Sequence, residues 1–393
     1  MNSNHKANVV RIFEVTKHPN ADSLSLVAIE GYQVVVRTEE FKLGELYLYI
    51  QPDSIVPPTP PFKFLWSDKE FVGDIPQKYR RVTVRRFRGE WSEGLLLPLS
   101  DFGVKLNPVA YKINGRIVQE GEDIAELLSI THYEEPEPVA NIQGKSRQYK
   151  TWPPRSVKGF FYWLMHKLGW DLNGPLGGDT EKPPKNTPPV YDVESFKNYP
   201  RLFEPGEQVI VTEKVHGSNL RAMFDGKRMW VGSKNLWKSE KSTCIWRRAL
   251  KELPWIEKWC RFHPGATLYG EIVPTQKGYT YGTNESAPVK VFAFDLRSDP
   301  GCVYPRHYFE EDWVSKGSTK ALMGEHFIPV LYEGPYDEVK IKALVEGPST
   351  VPGANHIREG IVITSATERS VRGVGRAQLK LKSLKFLEKE GKQ

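Results

Sequence analysis

The sequence predicts an α+β protein of two domains, and three observations carry that prediction. Short strands with period-2 patterning fill residues 8–134, a proline-rich break follows, and from about residue 191 strands are joined by at least one amphipathic helix. A chain of 393 residues has room for two cores. Its 39% hydrophobic and 12% aromatic content excludes wholesale disorder.

In the front part, Tyr32 to Arg37 is rich in valine, and Leu46, Leu48 and Ile50 alternate with Tyr47, Tyr49 and Gln51 as in a half-buried strand. Arg81, Thr83 and Arg85 alternate with Val82 and Val84, which predicts a strand with one basic and one apolar face. Several short strands within residues 1–135 predict a small closed barrel with inserted loops. The break opens at Glu134-Glu135-Pro136-Glu137-Pro138, and residues 181–189 hold four prolines, so a linker is placed at 136–190. Within it, Phe160 to Met165 predicts a short helix packed on one of the domains. In the back half, 191–393, Ser242-Thr243 caps a helix with Ile245, Trp246, Ala249, Leu250 and Leu253 on one face, stopped by Pro254. Lys290 to Leu296, Glu359 to Ile363 and Gln378 to Lys382 read as strands of a mainly antiparallel sheet.

A net charge of +7 and a pI near 9.0 favour an acidic partner, nucleic acid first. Cys244, Cys260 and Cys302 have no metal-ligand spacing and make no disulfide framework, which fits a reducing, cytoplasmic setting. Met1 to Lys6 is polar, so no signal peptide is expected, and the longest apolar run, Phe160 to Met165, is too short to span a membrane. No obligate protein partner is implied.

The chemistry begins at Glu213-Lys214-Val215-His216-Gly217-Ser218-Asn219, directly after the apolar stretch Gln208 to Thr212. A lysine amine there can attack a phosphorus or carbonyl centre and form a covalent intermediate. Tyr269-Gly270-Glu271, Phe292-Ala293-Phe294-Asp295, Glu359 to Ile363 and Lys380-Leu381-Lys382 follow in that order. Alternation puts Leu379 and Leu381 on one face of the last strand and Lys380 and Lys382 on the other, where they form either a phosphate clamp or a solvated edge. Glu271 and Glu359 each adjoin a glycine and suit a hydrated divalent cation, which takes one or two protein carboxylates plus phosphate oxygens. Phe294 either stacks on a purine or belongs to the core. His216 has no second histidine at ligand spacing, which rejects zinc.

The ordered set resembles the nucleotidyltransferase motifs of ATP-dependent RNA ligases, with a Lys-x-His-Gly form nearer RNA ligase 2 than the Lys-x-Asp-Gly of DNA ligases and capping enzymes. Val35 to Pro57, Arg85 to Leu99 and Tyr191-Asp192-Val193-Glu194 resemble the group of RNA ligases with an OB domain ahead of the catalytic domain. The resemblance implies an N-terminal OB-type barrel and a C-terminal, ATP-grasp-like nucleotidyltransferase domain of antiparallel sheets with flanking helices. Lys214 would become lysyl-AMP, Glu213 would approach the adenine and Phe294 would stack on it. Glu271 would engage the ribose or a metal-bound water, Glu359 would hold the catalytic metal through water, and Lys380 and Lys382 would contact the α-phosphate. Asn219 matches an asparagine needed after end adenylylation, and Lys234 stands where arginine is usual. The implied cofactors are ATP and Mg²⁺ or Mn²⁺. The implied partner is RNA with 3′-hydroxyl and 5′-phosphate ends, including RNA/DNA hybrids; separately, the basic face of Arg81, Arg85, Arg86 and Arg88 with Lys78 and Arg80 is where a grip on the RNA backbone is expected. Two other readings remain at this stage. A DNA ligase or mRNA capping guanylyltransferase is disfavoured by His216, the OB domain at the front and the eleven residues after Lys382. A non-catalytic tRNA-binding OB protein, prompted by His18 to Leu24, has no use for the back-half residues.

Overall fold

The computed structural model of the chain describes residues 7–133, 180–184, 187–188, 190–297, 303–304 and 326–391. Five strands frame the front domain: β1 (Ala7–Arg11), β2 (Leu24–Ile29), β3 (Tyr32–Arg37), β4 (Leu46–Ile50) and β5 (Leu95–Pro98). β4 pairs antiparallel with both β1 and β5, and β2 pairs with β3. The alternation in β4 has a different meaning from the half-buried strand expected, because every one of its residues is buried. Leu46, Leu48 and Ile50 enter one apolar cluster with Val56, Phe62 and Val82, while Tyr47 and Tyr49 enter a second with Val27, Val34 and Leu96. The Tyr49 hydroxyl stays satisfied by donating to the Glu93 carbonyl at 2.9 Å.

The segment Arg81 to Arg85 keeps the expected in–out alternation but is not one strand. Val82 and Val84 are buried, Arg81 forms an isolated bridge with Ile55, and Arg85 opens a two-stranded ribbon with Glu90–Ser92. The aromatic run Phe160 to Met165 lies outside the described residues, as does most of the expected linker. Its far end belongs to the next domain, since Thr180–Glu181 pairs with Trp237–Lys238.

The back half is built on two sheets. Its main strands are β6 (Gln208–Lys214), β7 (Ser218–Phe224), β8 (Thr267–Val273), β9 (Lys290–Arg297), β10 (Gly360–Ser365) and β11 (Gln378–Lys382). One sheet runs Glu194–Ser195, β11, β10, β6, Val330–Pro335, and only its first pair is parallel. The other is seven-stranded and includes β7, β8 and β9 as antiparallel neighbours. Helices α1 (Ile245–Glu252) and α2 (Pro254–Phe262) cover the second sheet, burying Trp246, Ala249, Ile256 and Trp259 against Leu220 and Leu268. Pro254 ends α1 as expected and also starts α2, because its fixed φ suits the first turn, where its missing N–H costs nothing. Val215, His216 and Gly217 carry the chain from the first sheet to the second.

Buried and partly buried polar contacts join the domains. The Lys197 ammonium pairs with the Glu93 carboxylate, and Tyr32 Oη and Gln51 Nε2 both donate to Asn198 Oδ1 at 3.1 Å.

Candidate active site

A cavity of about 380 Å³ opens where the two back-half sheets diverge, and Lys214 lies in its wall. Strand register explains why its neighbours gather there. Gly360 is the β10 partner of Lys214 on one side and of Lys382 on the other, so the side chain of Glu359, one residue earlier, falls between two ammonium groups. Glu359 Oε2 lies 2.7 Å from Lys214 Nζ, and Oε1 lies 3.5 Å from Lys382 Nζ. Gly360 permits this crowding, since a Cβ on it would stand 2.2 Å from the Leu381 carbonyl oxygen. On the second sheet Asn219 pairs with Glu271 across β7 and β8. The Glu271 carboxylate is fastened to the crossover by accepting the Gly217 N–H at 2.9 Å.

The last strand behaves as its alternation predicts: Leu379 and Leu381 are buried, and Lys380 and Lys382 enter the cavity. Lys380 lies 3.7 Å from Asp192 Oδ1, and Lys234 Nζ lies 3.1 Å from Asp192 Oδ2, so one carboxylate gathers both cations. Phe294 lines the cavity with its ring 5.0 Å from that of Tyr191. Tyr191 is itself held by its hydroxyl, which lies 2.6 Å from Asp295 Oδ2 and 2.7 Å from Gln378 Oε1. His216 is buried edge-on against Tyr279 and Phe386, with Nδ1 3.4 Å from Glu359 Oε2. Phe386 comes from the C-terminal helix α3 (Leu384–Glu390), whose Leu387 and Glu390 also line the cavity.

Burial lifts the Glu271 carboxyl to about 7, with the nearby Lys214 opposing the shift and Glu359 adding to it. Burial acts on Glu359 in the same sense, but there Lys214, the His216 hydrogen bond and Lys382 outweigh it and hold that carboxyl well below the usual range. Lys380 is pushed down to about 8, burial again leading and Asp192 opposing. The two acids therefore differ in charge near neutrality, although both are close to Lys214. Among the described residues no group of three His, Cys, Asp or Glu side chains is set to hold a metal. Glu359 and Glu271, with room for water and phosphate oxygens, fit a hydrated Mg²⁺ or Mn²⁺ better than a closed protein cage would. The buried Asn219 Oδ1 has no hydrogen-bond partner among the described residues and lines the same cavity.

Lys214, Asn219, Lys234, Glu271, Phe294, Glu359, Lys380 and Lys382 all meet in this one cavity. Glu213 does not join them: its carboxylate accepts from Ser349 Oγ and from Thr350 N and Oγ1 at 2.5, 2.7 and 2.7 Å. Arg81 is in the cavity wall, whereas Arg85, Arg86 and Arg88 lie exposed on and beside the ribbon, with Arg86 over Trp91. Asp53, Asp192 and His132 also line the cavity. The sequence offers Asp53 and Asp192 only as parts of family-like stretches, with no role for either, and gives no signal at His132.

Comparisons with known proteins agree with this architecture. Residues 207–382 match the RNA ligase family, and residues 6–99 match an OB-fold domain. Among solved structures, Naegleria gruberi RNA ligase with pyrophosphate is 20% identical with a TM-score of 0.69, and each chain is covered in full. A mutant of that ligase with ATP and Mn gives 20% and 0.68 over 99% of this chain and 100% of the other. A further mutant, with AMP and Mn, gives 20% and 0.69 over 98% of each. At that identity the likeness establishes the fold alone, an OB-type domain ahead of a two-sheet α+β domain. No curated protein shows a significant match to the chain. Residues 207–382 are thus similar to the RNA ligase domain, and an OB-fold-like domain lies N-terminal to them. No helix among the described residues is long and apolar enough to cross a membrane.

Proposed function

We propose that the protein is an ATP-dependent RNA ligase that seals 3′-hydroxyl and 5′-phosphate ends through lysyl-AMP and adenylylated RNA, acting in RNA repair in the cytoplasm. The observation that carries this reading is the clustering of Lys214, Lys380 and Lys382 with Glu271 and Glu359 in one cavity between two sheets. Lys214 Nζ, in its uncharged form, attacks the α-phosphorus. A P–N bond forms as the bond to the bridging oxygen breaks and pyrophosphate leaves. Lys380 and Lys382 face the cavity as cations and offset the charge that builds on the transferring phosphoryl group. Glu359 keeps Lys214 and Lys382 in place, Phe294 offers a ring for the base, and Glu271 engages the ribose. A divalent cation, when bound near Glu359 and Glu271, supplies further charge neutralisation on the phosphates. AMP then passes to the RNA 5′-phosphate, and the 3′-hydroxyl displaces it with Asn219 beside the reacting end.

The test is to incubate the protein with labelled ATP or GTP and Mg²⁺ or Mn²⁺, then offer nicked RNA, nicked DNA and single strands. A labelled adduct with ATP, absent from Lys214→Ala and discharged by nicked RNA, is expected. An adduct that survives Lys214→Ala refutes the mechanism, and one formed only with GTP makes the protein a guanylyltransferase.

A further inference from the structure

Outside the cavity, a second groove of about 660 Å³ lies between the turn after β7 and residues of α1 and α2. Six cationic side chains line it against two acidic ones. The nearby carboxylates engage the arginines. Arg228 pairs with Glu181 and Glu240 at 3.0 and 3.2 Å, Arg248 with Glu252 at 3.0 Å, and Arg261 with Glu257 at 2.6 Å. Lys227 and Lys251, both exposed, make no ion pair among the described residues. Exposed ion pairs are weak, so the arginines too can exchange a carboxylate for a phosphate at little cost.

The turn is held in place before any ligand arrives. Asp225 Oδ1 accepts the N–H groups of Lys227 and Arg228 at 2.8 and 2.9 Å, and its Oδ2 accepts Trp230 Nε1 at 2.8 Å. The Arg228 guanidinium lies 3.6 Å from the Trp230 ring centroid. One face rests on that ring and the edge meets Glu181 and Glu240, so the remaining face is a plane on which a base can stack. Helix α1 connects the groove with the cavity. Trp246 lines the cavity and donates Nε1 to the Asn219 carbonyl at 2.9 Å, whereas Arg247 and Arg248, next in sequence, line the groove. A strand leaving the cavity need only cross this helix to meet the cations.

We propose that the groove binds the RNA backbone beyond the reacting ends, with Lys227 and Lys251 on phosphates and the Arg228 plane against a base. The stacking plane beside two unpaired ammonium groups favours RNA over an acidic polypeptide. This rests on RNA being the substrate that enters the cavity.

The experiment measures binding of a short and a long single-stranded RNA, and of polyglutamate, across a salt series. It compares the wild type with the double variant Lys227→Ala, Lys251→Ala. The variant is expected to bind the long strand about tenfold more weakly, with a slope of log affinity against log salt lower by about one to one and a half. The short strand, held by the cavity alone, should bind within about twofold of the wild type. Lys227→Arg with Lys251→Arg keeps both charges and should restore the long strand. Label transfer from ATP to the protein should be unchanged, since neither lysine lines the cavity. Equal affinity of wild type and variant for the long strand overturns the proposal, as do equal losses for short and long strands. A loss confined to polyglutamate gives the groove to an acidic polypeptide and overturns it too. A wild type that takes up AMP but binds no RNA refutes the RNA reading and the groove together. A wild type that seals RNA beside an unaffected variant sinks the groove alone.

Discussion

Glu213 and Lys214 are consecutive in β6 and leave it in opposite directions, the ammonium into the cavity and the carboxylate into a fully buried site beneath Ser349 and Thr350. The strand that presents Lys214 is thereby pinned from behind by a charged residue. Glu213→Ala would leave a void at a fully buried position and take the acceptor from the partly buried Ser349 and the exposed Thr350, so a loss of about 1–3 kcal/mol is expected in urea unfolding. A variant as stable as the wild type would show that the anchor is not needed.

Glu271 and Glu359 depart from ordinary carboxylate behaviour in opposite directions, and the consequence for stability has a definite sign. Glu271 is raised from 4.5 to about 7, so its ionisation in the folded protein is costly and stability falls as pH rises through that window. Glu359 is depressed, so its contribution is complete above about 4.5 and disappears as pH falls below that. Thermal unfolding from pH 3 to 8 should show Glu271→Gln gaining on the wild type by about 2–3 kcal/mol between pH 5 and 8. Glu359→Gln should be less stable at pH 7 and converge with the wild type near pH 3. Parallel curves for all three proteins would contradict both assignments.

Lys197 and Glu93 form an almost dry ion pair between the domains, with side chains 16% and 6% exposed. Burial already pushes the Lys197 ammonium below its ordinary value, with Glu93 opposing. Glu93→Ala leaves that charge buried and alone, at a cost of about 3 kcal/mol in chemical denaturation. Combining it with Lys197→Met should recover most of the loss, because two apolar partners need no compensation.

Arg85, Arg86 and Arg88 stand exposed outside the cavity. Replacing all three with alanine should weaken RNA binding and lower the slope of log affinity against log salt by about two to three. An unchanged slope would remove the ribbon from the RNA path.

Much of the site was legible because strand alternation is a local rule. The face shared by Lys380 and Lys382 follows from Leu379 and Leu381 alone. The same rule foretold the burial of Val82 and Val84, but it missed that β4 separates two cores, since tyrosines can fill a core when their hydroxyls find partners. Nothing local reveals that Asp53 and Arg81 reach a cavity made by residues more than a hundred positions away. Nor does it reveal that Tyr191 bonds both Asp295 and Gln378. Such pairings arise from domain packing, which composition and periodicity do not encode. Pro254 was read only as a stop because the rule that excludes proline from helix interiors also favours it in a first turn.

The short parallel pairing of Glu194–Ser195 with β11 carries a mechanical implication. Ser195 sits opposite Lys380, and two and three residues later Lys197 and Asn198 are clasped by the front domain. The connection between the domains is therefore stitched to the very strand that bears the cavity lysines. Swinging the domains apart would pull along that strand, so opening the molecule and displacing Lys380 and Lys382 become a single motion.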